Sequence, residues 1–399
     1  METLTFDHES GLAAIRGWAR LPARLLARLE QGNLQLALPG GGLMVARGPA
    51  RHVPDAHMQI HRWRAVRRIL MDGDIGFADG YIEDDWSSND LPSLIELAAR
   101  NRAAIGSAIQ PSFLTRVIHR AYHRLRDNTR AAARRNIEAH YDLGNDFYAQ
   151  WLDRGMSYSS AIYQSPQQTL EQAQIAKHDR IIDLLDAKAG ARVLEIGCGW
   201  GGLAEAMLER GLDVTGLTLS PAQLAYAQTR LGGRADLRLQ DYRDCDGVFD
   251  RIVSIEMIEA VGERFWPVYF DRLKKMLAPG GSVVLQAITI KDELFDSYRQ
   301  EVDFIQHRIF PGGCLPTSGL IERHLQAAGL KLRKVEFFGD SYARTLAAWR
   351  ENFLAAWPAI EAMGFPPRVR RLWEYYLAYC EGGFRAGNID VGLYCAEHG

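Results

Sequence analysis

The spacing of apolar residues changes character near residue 192. Beyond it, short and almost unbroken apolar runs alternate with stretches of helical period, and this predicts strands at 192–196, 213–217, 237–240, 251–255 and 282–288. Helices are expected between them at 201–210, 221–231 and 263–277, the last closed by Pro279-Gly280-Gly281. Segments 331–338 and 389–395 supply final strands, with helices at 342–357 and 366–384 between them. Apolar strands separated by helices and short turns imply an α/β fold, a parallel sheet covered by helices on both faces. The first 110 residues read differently, as a smaller mixed α/β module. A helical pattern covers 11–30 through Leu12, Ile15, Leu21, Leu25 and Leu29. An alternation at Leu34, Leu36 and Leu38 then meets a Pro-Gly turn and Leu43-Met44-Val45, which predicts a hairpin. Residues 63–70 look helical, 73–86 are rich in turn and acidic residues, and 91–105 form another helix with Asn89 or Asp90 as its N-cap.

The three expected parts are therefore 1–110, a linker at 111–135, and a domain spanning 136–399. A chain of 399 residues, 47% hydrophobic and 24% charged, has ample material for such cores, and disorder is excluded as its main state. No apolar stretch approaches the ~20 residues of a membrane-spanning helix. The start carries Glu2, Asp7 and Glu9 in place of a signal peptide's basic-then-apolar order. Five scattered cysteines without a Cys-x-x-Cys pair argue against a disulfide framework or a structural metal, and fit a reducing cytoplasm.

The net charge of −2 excludes a protein that coats nucleic acid, but it conceals an asymmetry. Residues 1–139 hold nineteen Arg, no Lys and fifteen acids, a balance of +4, which leaves −6 for the rest. Much of the excess sits in the linker. There, apolar residues at 113, 114, 117, 118, 122 and 125 have helical spacing, and Arg116, Arg120 and Arg124 form a row beside them. A basic amphipathic helix of this kind can lie on an anionic membrane, with arginines on phosphates and the apolar stripe among acyl chains. It can equally pack its stripe on its own protein.

The run VLEIGCGWGGLAEAML, 193–208, is a buried strand, a glycine turn and a helix start. Gly197, Gly199 and Gly201 let the backbone bend sharply and approach a ligand without Cβ clashes. Three features favour S-adenosylmethionine over a dinucleotide. Glu195 precedes the glycines, the spacing is GxGxG, and Gln240-Asp241-Tyr242 follows a later strand, suited to hydrogen-bonding and covering an adenine. The second strand ends in Thr218-Leu219-Ser220 without the usual dinucleotide carboxylate, and Thr218 and Gln223 are placed to bind ribose hydroxyls. The expected fold is thus a Rossmann-like, class I S-adenosylmethionine-dependent methyltransferase.

The runs HYDLGNDFYAQWLD (140–153), MSYSSAIY (156–163), GLTLSPAQ (216–223), RIVSIEMIEAVG (251–262), IFPGGCLP (309–316) and SYARTLAAW (341–349), with the glycine loop, resemble the cyclopropane fatty acid synthases. The resemblance covers nearly all of 130–399, and the front module and linker look like those of phospholipid-acting bacterial members. It implies transfer of a methylene unit from S-adenosylmethionine to the double bond of an unsaturated phospholipid or fatty acyl chain. It also implies attachment to the inner face of a membrane, with a second copy of the chain as a further partner. Tyr158 and Ser159 fall beside the cofactor. Tyr141, Tyr376 and Phe384 match acyl-pocket positions, with Cys380 one turn from the latter two.

Attack by the alkene leaves a carbocation, which aromatic faces and exclusion of water would protect. A base must then remove a proton, and in the family this is attributed to bicarbonate. Glu259, Tyr342 and the backbone of Ile288 fall on the positions that hold it. Two departures bear on that step: Ser160 stands where the family usually has cysteine, and Gln286 where it has histidine. Gln286 donates a hydrogen bond but carries no proton near neutrality, which weakens the expectation of bicarbonate. Two alternatives to ring formation stay open: a fatty-acid C-methyltransferase giving methyl- or methylene-branched chains, and a non-catalytic homologue that binds lipid and S-adenosylmethionine.

Overall fold

The computed structural model describes residues 3–6, 20–106 and 143–399. The expected linker helix, with Arg116, Arg120 and Arg124, and the pocket residue Tyr141 lie outside the described residues. The chain divides into two compact units.

The first unit gathers the chain up to Tyr122 with Glu301–His307 and Trp357–Asn388. Its sheet has the order β1-β3-β2-β4-β5, from β1 (Thr3–Phe6), β2 (Gln31–Ala37), β3 (Leu43–Arg47), β4 (Ala50–Ile60) and β5 (Trp86–Ser87). The predicted hairpin is the antiparallel β2–β3 pair, in which Leu36 faces Met44. Helices α1 (Arg20–Leu26), α2 (Arg64–Ile82), α3 (Leu91–Arg100) and α4 (Arg102–Gly106) accompany it. Asp90 caps α3 by accepting from the Ser93 amide at 3.2 Å. The segment expected as turns, 73–86, is mostly helix: α2 kinks at Gly73 (φ 57°) and continues to Ile82. The acidic run beyond it has a structural use. Fully buried Asp85 takes a two-pronged bond from Arg64, with contacts of 2.9 and 2.8 Å.

The compact units do not follow the expected boundary of a domain at 136–399. The late helix (Pro367–Arg385), which carries Tyr376, Cys380 and Phe384, belongs to the first unit. Gly382 is the local cause, since a Cβ there would lie 2.6 Å from Ile95 Cγ2 and 2.9 Å from the Glu96 amide, so only glycine lets this helix approach α3 so closely.

The second unit comprises His123–Gln300, Arg308–Ala356 and Ile389–Gly399. Its strands are β6 (Arg192–Ile196), β7 (Asp213–Thr218), β8 (Asp236–Leu239), β9 (Phe249–Ile255), β10 (Leu277–Ile290), β11 (Leu330–Phe337) and β12 (Ile389–His398). They form one sheet in the order β11-β12-β10-β9-β6-β7-β8. All neighbours are parallel except those of β12, which runs against both β10 and β11. The helices are α5 (Asn145–Ala149), α6 (Leu170–Leu185), α7 (Gly202–Glu209), α8 (Pro221–Leu231), α9 (Ile258–Val261), α10 (Trp266–Met276), α11 (Asp292–Tyr298), α12 (Ser318–Ala327) and the part of α13 (Gly339–Ala362) up to Ala356. One apolar cluster joins Ile196 and Leu285 to α10 and α12, and another joins Val193 and Val253 to α6 and α7. The expected helix over 263–277 is shorter than its pattern. A 3₁₀ turn fills Glu263–Phe265, and the chain is already β10 at Leu277. Pro279-Gly280-Gly281 then falls in an irregularity of the β9–β10 pairing between Leu277 and Ser282, because proline supplies no ladder donor.

Candidate active site

At the carboxyl end of β6, Gly197, Gly199 and Gly201 have φ of 86°, 52° and 83°, the left-handed region that glycine enters without strain. The Gly197 and Cys198 amides both donate to the Leu217 carbonyl at 2.9 Å, which folds the turn back onto β7. A Cβ on Gly197 would meet Met257 Cγ at 2.7 Å, whereas one on Gly199 would meet nothing within 4 Å. The backbone at Gly199 therefore faces open space, as a turn that cradles a ligand must.

The groups expected around that ligand assemble at the neighbouring strand ends. Thr218 Oγ1 donates to Gln223 Oε1 at 3.0 Å, and Ser220 caps α8 through the Gln223 amide. The Gln240 amide donates to the Thr218 carbonyl at 3.1 Å, and its side chain donates to Asp244 O at 2.8 Å. Asp241 receives both Nε and NH2 of Arg243, at 2.9 and 2.6 Å, and the buried Tyr242 ring meets Tyr269 edge-on at 5.3 Å. Asp241 and Tyr242 thus carry local structure beside any nucleoside contact. Glu195 is buried, and its Oε2 has no partner among the described residues. Burial pushes this carboxyl up to about 8, against the pull of Lys177. An orphaned acid beside an open glycine turn fits a ligand that brings its own cationic or donor group.

The Ser159-Ser160 segment is held from two helices. From α6, buried Lys177 donates Nζ–H to Ser159 Oγ at 2.8 Å, and Gln174 Nε2 donates to the Ser159 carbonyl at 2.9 Å. From α13, Thr345 Oγ1 accepts the Ala161 amide at 3.1 Å. Burial lowers the Lys177 ammonium to about 8, opposed by the charges of Glu256, Asp153 and Glu195. The Tyr158 ring packs at 5.3 Å from Trp349, 5.5 Å from Tyr148 and 5.8 Å from Trp151.

A carboxylate that the sequence reading passed over stands at the centre. Glu256, just after β9, accepts from the Ser160 amide (2.8 Å) and Gln286 Nε2 (2.7 Å) on Oε1, and from the Tyr342 hydroxyl (2.6 Å) on Oε2. Burial raises its carboxyl, while these donors and Lys177 draw it back down. Glu259 is adjacent on α9. Its Oε1 accepts the Ile288 amide at 2.5 Å, and its buried Oε2 has no partner among the described residues. Burial and the Glu256 charge push Glu259 up to about 8. Ser160 donates its own hydroxyl to Ala161 O at 3.0 Å.

Ser160, Gln286, Ile288, Glu259 and Tyr342 are thus brought together, from positions spread over nearly two hundred residues. Tyr376, Cys380 and Phe384 lie in the other unit, where Tyr376 packs against Trp373 with ring centres 5.5 Å apart. The aromatic cluster of Tyr148, Trp151, Trp200 and Trp349 was missed, because its members alternate with no period that separates them from core filler. Glu256 was visible only as an extra acid within a matched motif.

A class I methyltransferase is what this sheet, its glycine turn and its strand-end acid define. The solved mycolic acid cyclopropane synthase CmaA1, complexed with SAH and CTAB, has a similar structure with a TM-score of 0.63 and 30% identity, covering 66% of this chain and 98% of that one. The model of the mycolic acid cyclopropane synthetase family matches residues 128–393, and the chain belongs to that family of S-adenosylmethionine-dependent enzymes. Among its relatives, the tuberculostearic acid methyltransferase UfaA1 of Mycobacterium tuberculosis is 40% identical over 83% of this chain and 81% of its own. The cyclopropane-fatty-acyl-phospholipid synthase of Escherichia coli is 36% identical over 82% of this chain and 83% of its own. No described helix is long and apolar enough to cross a membrane.

Proposed function

We propose that the chain transfers the methyl carbon of S-adenosylmethionine to the double bond of an unsaturated phospholipid acyl chain, with loss of one proton, to give a cyclopropane. The observation that carries this reading is the enclosed polar cluster of Glu256, Glu259, Gln286, Ser160 and Tyr342. It offers a carboxylate as proton acceptor, while the Ser160 and Tyr342 hydroxyls beside it are both engaged as donors, to the Ala161 carbonyl and to Glu256. Bound at Gly197–Gly201, the cofactor supplies an electrophilic methyl. The residues of the chain hold the alkene close, exclude water and take up the proton. The Trp349 ring lies 6.2 Å from that of Tyr342 and packs with Tyr158, which in turn meets Trp151, and such aromatic faces would stabilise a cation by ~0.5–2 kcal/mol each.

A second product, a methylene-branched chain, is favoured by Gln286 in place of the family's histidine and by the 40% identity to a relative named a tuberculostearic acid methyltransferase. A saturated methyl branch would need a hydride donor as well. Labelled methyl transfer into extracted phospholipid tests the common step. Proton spectra of the product separate ring from vinylic protons, which mass cannot. Absence of label in any acyl chain would refute the reading. The basic row Arg116, Arg120 and Arg124 supports docking on an anionic surface, where each arginine contributes ~1 kcal/mol.

A further inference from the structure

Glu256 is a glutamate in a conformation that suits glycine. Its φ is 50°, so the side chain is kept at a position where the left-handed backbone is strained for any residue with a Cβ. The surroundings indicate why. The three donors that converge on its carboxylate are the Ser160 amide, the Gln286 side-chain amide and the Tyr342 hydroxyl, at 2.8, 2.7 and 2.6 Å. Tyr342 is among the groups that the family resemblance assigns to a bound bicarbonate, and Ser160 and Gln286 stand at its two points of departure. The remaining assigned donor, the Ile288 amide, is spent on Glu259. A planar, three-atom carboxylate from the chain itself satisfies the donors that would otherwise hold a planar anion.

Resting on the proposed function, we propose that Glu256 is the built-in proton acceptor of the reaction, standing in for an exogenous bicarbonate. The alkene's π pair forms the new C–C bond as the sulfonium S–C bond breaks, and S-adenosylhomocysteine leaves as a neutral thioether. The cation on the acyl chain then loses one C–H proton to a Glu256 oxygen, and that electron pair closes a ring or a double bond. Atoms and charge balance without another reactant. Glu256 keeps part of its surface exposed, so it is not sealed into the core. The ionisable groups around it are Lys177 on α6, whose charge draws its carboxyl down, Tyr342 on α13, which donates to it, and Glu259 on α9, pushed up to about 8 by burial and by the Glu256 charge. Gln286 then has a clear use, since a neutral amide donates to a carboxylate without competing for the proton.

The test is labelled methyl transfer in buffers stripped of carbon dioxide, with wild type, Glu256→Gln and Glu256→Gly. Glycine relieves the positive φ and removes a partly buried charge, so this variant is expected to fold, and S-adenosylhomocysteine affinity by calorimetry checks that it does. The expected result is a wild-type rate unchanged by added bicarbonate and a loss of at least 100-fold in both variants. Partial recovery is expected in Glu256→Gly alone when formate or bicarbonate fills the vacated cradle. A wild-type rate that falls several-fold on bicarbonate removal, or a Glu256→Gln variant with wild-type turnover, overturns the inference. A wild type that labels no acyl chain under either condition counts against the proposed function instead, so the two failures are distinct.

Discussion

Replacing Gly199 with alanine should damage cofactor binding far more than folding. The backbone there has φ of 52°, and a Cβ would meet no atom within 4 Å. The folding cost is therefore the left-handed penalty alone, roughly 1 kcal/mol. The cost to a ligand differs, because the new methyl enters the space that the turn leaves open. Forcing a methyl into a fitted contact costs typically 1–3 kcal/mol, which is roughly 5- to 150-fold in affinity. Gly232 provides the control. It ends α8 with φ of 57° and also has nothing within 4 Å of its Cβ position, so Gly232→Ala carries the same backbone penalty away from the turn. Denaturant titration of the two ligand-free variants should give matching losses of about 1 kcal/mol. Calorimetry with S-adenosylhomocysteine should then show weakened binding for Gly199→Ala and wild-type binding for Gly232→Ala. Equal affinities in the two variants would refute the placement of the nucleoside over Gly199.

Three further outcomes are expected. Tyr342→Phe removes the 2.6 Å bond to Glu256, a charge-assisted contact of about 1.5–3 kcal/mol, so turnover should fall by roughly 10- to 100-fold while S-adenosylhomocysteine affinity holds; parallel loss of both would mark a structural residue. Glu195→Gln should change the pH dependence of stability. The wild-type carboxyl is raised from 4.5 to about 8 in the fold, so the unfolded chain releases its proton first and stability is lost as pH rises between those values. The amide has no proton to release, so its advantage should grow by up to several kcal/mol across this window and level off above it; a pH-independent difference in denaturation would show that Glu195 is ionised in the fold. Changing Arg116, Arg120 and Arg124 together to Gln should weaken sedimentation with anionic vesicles and flatten its salt dependence, with nucleoside affinity unchanged. Undiminished vesicle binding would assign those arginines a purely structural role.

Local rules carried much of this protein's description. The β6–turn–α7 unit was legible because an apolar strand, three glycines and a helix start are contiguous, and the left-handed φ at each glycine is what that spacing demands. The N-cap at Asp90, the β2–β3 hairpin and the late strands β11 and β12 likewise depend on neighbours within a few positions. The helix around Tyr376 was legible as a helix but not in its partner. Its pattern states that one face is apolar, and the match of Gly382 to Ile95, nearly three hundred residues away, selects α3. The sequence marks 73–86 only as rich in turn and acidic residues, and it is Arg64 at the start of α2 that gives Asp85 a buried partner. Glu256 depends most on tertiary structure. A single acid after a strand has no meaning by itself, since carboxylate chemistry is set by the donors and charges around it. Those come from Ser160, Gln286, Tyr342 and Lys177, which only the folding of four separate segments around the central strands β9 and β10 brings within reach.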